Sequence, residues 1–223
     1  MSRFDAVLFD LDGTLCRRVQ DAGAMYEAAF ERAGVATFGE PAELWAALDG
    51  PPDPDDRVGY LGSGFARLAA RYGRADADPL VLADHLTDCI DNTQVELVAG
   101  AEAALGRATA TGRVGLLTNG PEDRQRTKVE ALGVGDRFEV IVYAGDLPRR
   151  KPHAAPFERA LAALETPADR ALYVGNSLEY DVAGAHNAGL EAAWLRAAPD
   201  DGPGEYSPEY VLDSLEDLVD VLG

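Results

Sequence analysis

Apolar positions along this chain follow two regimes. Ala6-Val7-Leu8-Phe9 is an unbroken apolar run, the pattern of a strand buried on both faces of a parallel sheet. Comparable runs recur at Val114-Gly115-Leu116-Leu117, Val140-Ile141-Val142-Tyr143, Ala171-Leu172-Tyr173-Val174, Ala192-Ala193-Trp194-Leu195 and Tyr210-Val211-Leu212. Helical spacing alternates with them over residues 100–111, 122–132, 154–164, 179–188 and 214–222. Strand–helix alternation of this kind predicts an α/β fold with a doubly wound parallel sheet. Residues 199–208 read as a loop, and no internal repeat is present.

The stretch between the first run and the second is different. Residues 20–34, 40–49, 55–73 and 79–92 read as helices, with no strand signal among them. Breaks fall at Gly34-Gly39-Pro41, Gly50-Pro51-Pro52 and Asp76-Asp78-Pro79. Met25, Ala28, Ala29 and Phe30 give one apolar face, and Phe65, Leu68, Ala69 and Tyr72 give another. A strand–helix–strand unit takes roughly 30 residues, and about three times that length separates Asp12 from the next core strand. That surplus is too long for a loop. It predicts a helical cap over 17–95 inserted into an α/β catalytic core of 1–16 and 96–223. The linkers near 17–19 and 94–98 are then the hinges, and closure of such a cap over substrate excludes water.

Composition narrows the function. Acidic residues outnumber basic ones 39 to 20, giving a formal charge of −19. That field repels nucleic acid and anionic membranes, so neither is an expected partner. Lys128 and Lys151 are the only lysines. An acidic, lysine-poor surface suits a salt-rich, halophilic cytoplasm, where self-repulsion is screened; unfolding on transfer to low salt would support that habitat, and indifference to salt would oppose it. Cys16 and Cys89 are too few for a disulfide framework, which points to a reducing compartment. Asp10 interrupts the early apolar run, so neither a signal peptide nor a transmembrane helix is expected.

Chemistry is expected at the carboxyl ends of the strands. The first run ends in Asp10-Leu11-Asp12-Gly13-Thr14, where Gly13 lets the backbone bend and bring Asp12 beside Asp10. Leu117-Thr118-Asn119-Gly120 ends the second with a hydroxyl, an amide and a glycine. Arg149-Arg150-Lys151-Pro152 places cations in a very acidic chain, beside a proline that starts a helix. Val174-Gly175-Asn176-Ser177 leads on to Asp181. Each stretch alone reads as turn or cap chemistry. Their order, each after a strand, makes them a set.

That set resembles the haloacid dehalogenase-like (HAD) hydrolase superfamily. Its four motifs are matched by Asp10-Leu11-Asp12-Gly13-Thr14, Thr118, Lys151-Pro152, and Gly175-Asn176-Ser177 with Asp181. The resemblance covers roughly residues 4–16 and 96–222. It implies a phosphatase-type enzyme in which Asp10 attacks phosphorus to form an aspartyl-phosphate, while Asp12 protonates the leaving alkoxide and later takes a proton from water. The Thr118 hydroxyl, the Asn119 backbone N–H and the Lys151 ammonium would hold the phosphoryl oxygens. It also implies Mg²⁺, ligated by Asp10, the Asp12 carbonyl and Asp181. On this reading three carboxylates face a dianionic phosphate and Lys151 offsets only one, and each close like-charge pair costs about 4 kcal/mol at an effective dielectric of 20. Asn176 stands where relatives commonly carry Asp; its amide oxygen can ligate but brings no charge.

The expected substrate is a small phosphorylated metabolite. The competing readings are a haloacid dehalogenase, which the second aspartate Asp12 opposes; a phosphate-transferring mutase; a signalling receiver domain; and a catalytically weakened regulatory module. Arg17 and Arg18 read as solvated hinge charges, Arg57, Tyr60 and Arg67 as residues that could reach the cleft, and His153 as the one histidine near the site. Trp45 and Trp194 read as core. Which ester is cleaved, and whether the chain is a monomer or a homodimer, is not legible in these motifs.

Overall fold

A computed structural model describes residues 3–49 and 56–223. The predicted break at Gly50-Pro51-Pro52 and the first residue of the predicted 55–73 helix lie outside these residues. The chain divides into two compact units, Met1–Arg18 with Val95–Gly223, and Val19–Gln94. The opening apolar run is β1 (Ala6–Phe9), and β2 (Cys16–Arg18) follows it.

The Val19–Gln94 unit is helical: α1 (Ala22–Ala33), α2 (Pro41–Ala46), α3 (Arg57–Tyr72) and α4 (Pro79–Asp88). Local chemistry explains the starts and stops. Asp21, Asp56 and Asp78 accept from the first-turn amides of Ala24, Gly59 and Leu80 at 2.7, 2.7 and 2.9 Å. Gly34 and Gly73 close α1 and α3 in the left-handed region. Tyr26, Phe30, Phe38 and Phe65 form an aromatic centre with ring centroids 4.9–5.9 Å apart. Two expectations fail here. Trp45 is 53% exposed rather than core, because the short α2 buries only Leu44. Tyr72 lies on the exposed edge of α3, its hydroxyl donating to Glu43 at 2.7 Å.

The chain returns through β3 (Val95–Leu97), which runs antiparallel to β2 with Arg17 opposite Glu96. Both linkers, read from sequence without strand signal, are therefore paired backbone. Strands of three residues are too short to show periodicity, and their Arg17–Glu96 ion pair at 2.6 Å joins residues far apart in the chain. The rest alternates as α5 (Ala101–Thr111), β4 (Arg113–Thr118), α6 (Glu122–Leu132), β5 (Val140–Tyr143), α7 (Ala154–Ala163), β6 (Ala171–Gly175), α8 (Ala183–Asn187), β7 (Glu191–Leu195), β8 (Tyr210–Leu212) and α9 (Leu218–Val221). The predicted 179–188 helix begins as a wider π turn over Leu178–Val182, and the 214–222 helix is a 3-10 turn followed by α9.

The main sheet has the order β5-β4-β1-β6-β7-β8, with every adjacent pair parallel. Val7 and Phe9 face α5 and α9, whereas Ala6 and Leu8 face α7 and α8. The run is apolar throughout because both faces are covered. The chain builds outward from β1 through β4 to β5, then crosses to β6 on the other side. That reversal puts the topological switch point at the carboxyl end of β1, where open α/β sheets bind ligands. Among the described residues no helix is long and apolar enough to cross a membrane.

Candidate active site

Asp10 continues β1 by one residue, its N–H donating to the Val174 carbonyl at 2.9 Å. Its carboxylate is buried and meets Lys151, whose Nζ lies 2.7 Å from Asp10 Oδ1, 2.6 Å from Asp181 Oδ1 and 2.8 Å from the Tyr173 hydroxyl. The Leu117 carbonyl is a fourth, longer acceptor at 3.3 Å, so the three protons of the ammonium face four oxygens. The Tyr173 O–H in turn donates to the Leu117 carbonyl at 2.9 Å. The Asn119 side chain fixes the Lys151 backbone, donating to its carbonyl at 3.0 Å and accepting from its N–H at 2.9 Å.

Burial pushes the Asp10 carboxyl up to about 7, with Asp181 adding to the rise and the Lys151 ammonium opposing it. Burial works against the charge on Lys151, but Asp10 and Asp181 outweigh it and hold the group above its ordinary value. The Tyr173 phenol is raised well above its ordinary value, by burial first and the two carboxylates second. Lys151 is thus a fixed cation and Tyr173 a neutral hydroxyl.

Asp12 does not fold back onto this cluster as expected. Gly13 does turn in the left-handed region (φ 79°), and the Leu11 carbonyl accepts from Thr14, Leu15 and Cys16. The Asp12 carboxylate points instead to α6, where Lys128 Nζ donates to its two oxygens at 2.7 and 2.8 Å. Gln125 Nε2 donates to Asp12 Oδ2 at 2.7 Å and to Thr118 Oγ1 at 2.6 Å. Lys151 is therefore not the sole offset to the carboxylates: two ammonium groups face Asp10, Asp12 and Asp181, leaving one formal negative charge rather than two. Sequence reasoning missed Gln125, Lys128 and Tyr173. Tyr173 is hidden inside a strand run. Lys128 carried a signal, as one of two lysines in the chain and three residues past Gln125 on one helix face.

The loop after β6 supplies the rest. Asp181 Oδ2 accepts from the Ser177 N–H at 2.9 Å. Gly175 is required for this approach, because a Cβ there would sit 2.4 Å from the Asp181 carboxyl carbon. Trp194 is buried as expected, and its Nε1–H donates to the Asn176 carbonyl at 3.0 Å. The Thr14 hydroxyl lies between Asp10 Oδ2 at 3.4 Å and Asn176 Oδ1 at 3.3 Å. Asp10, Asn176 and Asp181 thereby bring oxygen donors together, with the Asp12 backbone on the same loop. An all-oxygen set with two carboxylates fits a hard dication such as Mg²⁺.

Other candidates are placed elsewhere. His153 caps α7, its Nδ1 accepting from the Ala155 N–H at 3.1 Å. Arg17 is engaged by Glu96, and Arg67 by the Asp49 carboxylate and the Ala47 carbonyl. Among the described residues the one His, Cys, Asp or Glu cluster with metal-ligand spacing is Asp84-His85-Asp88 on α4, which is partly to fully exposed and separate from these residues in sequence and unit.

A family model described as haloacid dehalogenase-like hydrolase matches residues 4–189. The chain is 32% identical over 229 residues to a phosphoglycolate phosphatase of Cereibacter sphaeroides, covering 96% of each. It is 27% identical over 227 residues to the pyrimidine 5'-nucleotidase YjjG of Escherichia coli, covering 99% of this chain and 98% of the relative. Among solved structures, the putative HAD-hydrolase YfnB from Bacillus subtilis bound to magnesium aligns with a TM-score of 0.77 and 23% identity over 99% of both chains.

Proposed function

The chain belongs to the haloacid dehalogenase-like hydrolases, and on that premise we propose that it is a Mg²⁺-dependent phosphomonoesterase acting on a small phosphorylated metabolite through Asp10. The observation that carries this reading is the Asp10–Lys151–Asp181 cluster at the carboxyl ends of β1 and β6. A buried carboxylate fixed beside a buried ammonium is an anchored nucleophile next to a binding point for phosphoryl oxygen.

The Asp10 carboxylate attacks phosphorus, and the bond from phosphorus to the ester oxygen breaks. The Asp12 carboxyl gives its proton to the departing alkoxide, then as carboxylate accepts one from the water that cleaves the aspartyl-phosphate. Lys151, the Thr118 hydroxyl and the Asn119 backbone N–H bind the phosphoryl oxygens. Asp10, Asp181, Asn176 and the Asp12 carbonyl would hold Mg²⁺, which when bound supplies positive charge to offset the phosphate dianion. Magnesium in YfnB and the phosphate esters in the names of the two relatives support this reading. The Val19–Gln94 unit we read as the cap that selects substrate.

The test is a screen of phosphorylated metabolites in Mg²⁺, at high and low salt, with Asp10→Asn as the blank. Release of inorganic phosphate by the parent alone supports the proposal. Equal release by both overturns it.

A further inference from the structure

α6 is a polar helix that turns a glutamine and a lysine toward the sheet, where apolar residues would ordinarily pack. Gln125 and Lys128 are both buried, and every hydrogen bond they make to a side chain ends on Asp12 or Thr118. Burying an ammonium costs free energy that a well-packed apolar side chain would not incur. A half-exposed partner such as Asp12, with 52% of its side chain accessible, returns little of that cost as stability. What the arrangement does secure is geometry.

Proton counting shows what is fixed. The Gln125 amide nitrogen lies 2.7 Å from Asp12 Oδ2 and 2.6 Å from Thr118 Oγ1, so its two protons reach those two oxygens. Thr118 Oγ1 also accepts from the Gly120 N–H at 3.3 Å. With both lone pairs of the hydroxyl oxygen engaged, its own proton is left to donate to a ligand. Gly120 is what admits Gln125, since a Cβ there would lie 2.5–2.6 Å from the glutamine side chain.

We propose that Gln125 and Lys128 are positioning residues for the proposed reaction: Lys128 aims the Asp12 carboxyl at the leaving-group oxygen, and Gln125 couples that carboxyl to the donor orientation of Thr118. This inference rests on the aspartyl-phosphate reading given above. In the step concerned, the Asp10 oxygen–phosphorus bond forms, the phosphorus–ester oxygen bond breaks, and the Asp12 proton moves to the ester oxygen. Lys128 then faces, and stabilises, the carboxylate left behind.

A residue that acts through the general acid is felt most when the leaving group needs a proton. The experiment compares kcat/KM for an alkyl phosphomonoester with that for p-nitrophenyl phosphate, whose phenolate leaves without help. Lys128→Met is expected to lower the alkyl value by about 100-fold while the aryl value stays within about threefold, as a misaligned general acid requires. Lys128→Arg is expected to restore most of the alkyl rate. Gln125→Leu is expected to lower the alkyl value more than the aryl value and, through Thr118, to raise the inhibition constant for inorganic phosphate. Equal losses on both esters, or none on either, would overturn the inference. Should Lys128→Met fail to fold, Lys128→Gln carries the same comparison. Asp10→Asn separates the two levels: if it is inactive on both esters while Lys128→Met shows no split, the positioning role fails and the nucleophile stands. If Asp10→Asn stays active, the underlying reading fails.

Discussion

The Tyr173 hydroxyl stands 2.8 Å from Lys151 Nζ and is one of four oxygens around the ammonium, with Asp10, Asp181 and the Leu117 carbonyl. Tyr173 is fully buried, so no water can take its place without repacking. Tyr173→Phe removes one acceptor from a buried cation and one donor from the Leu117 carbonyl. It is expected to destabilise the protein by roughly 1–3 kcal/mol, the cost of an unsatisfied buried polar group, measured by urea unfolding. Parental stability would contradict the network described here.

Asn176 presents an amide oxygen where a carboxylate would add a full charge. Its Oδ1 shares the Thr14 hydroxyl with Asp10 Oδ2, so a charge placed there acts directly on the proposed metal site. Asn176→Asp is expected to lower the Mg²⁺ concentration for half-maximal rate. A Mg²⁺ titration giving an unchanged or higher value would contradict this.

Cys16 sits just past the first loop and invites a reactive role that its surroundings deny. Burial pushes its thiol up to about 12, with Asp12 adding to the rise, so almost no thiolate forms at neutral pH. The folded protein is expected to take up one equivalent of iodoacetamide, at the partly exposed Cys89, and two once denatured. Mass spectrometry of labelled Cys16 from native protein would contradict this.

Much of the site was legible because its residues follow strands directly. Asp10, Thr118, Asn119 and Asn176 each stand within a residue of a strand end, so finding the strands locates them. Lys128 and Gln125 were not legible because they reach the same place from the interior of a helix, and only the third dimension brings α6 over Asp12. The direction of Asp12 is hidden for the same reason: its partners lie over a hundred residues away. The helices of the second unit were legible from their apolar spacing and the Gly, Pro and Asp breaks between them, whereas the exposure of Trp45 depends on how little of α2 is buried.

Acid stability follows from pairs such as Asp5 with Arg170, a two-pronged contact at 2.9 and 2.8 Å between the start of β1 and the turn before β6. The Arg170 hydrogen bonds hold the Asp5 carboxyl below its ordinary value of 3.8. A lowered carboxyl contributes stability above its unfolded value, and that contribution is lost as pH falls through the folded one. Arg170→Gln is therefore expected to lower Tm at neutral pH, with the gap to the parent closing as pH drops below 3.8. A gap that persists in acid would assign the loss to packing instead.

The central claim is that the Asp10 carboxylate bonds to phosphorus. Its most direct measurement is the hydrolysis rate of folded Asp10→Asn on p-nitrophenyl phosphate in Mg²⁺, a substrate that needs no acid for its leaving group. An amide is a poor nucleophile, so the account predicts a loss of at least about 1,000-fold. A folded variant that turns over at the parental rate would contradict it.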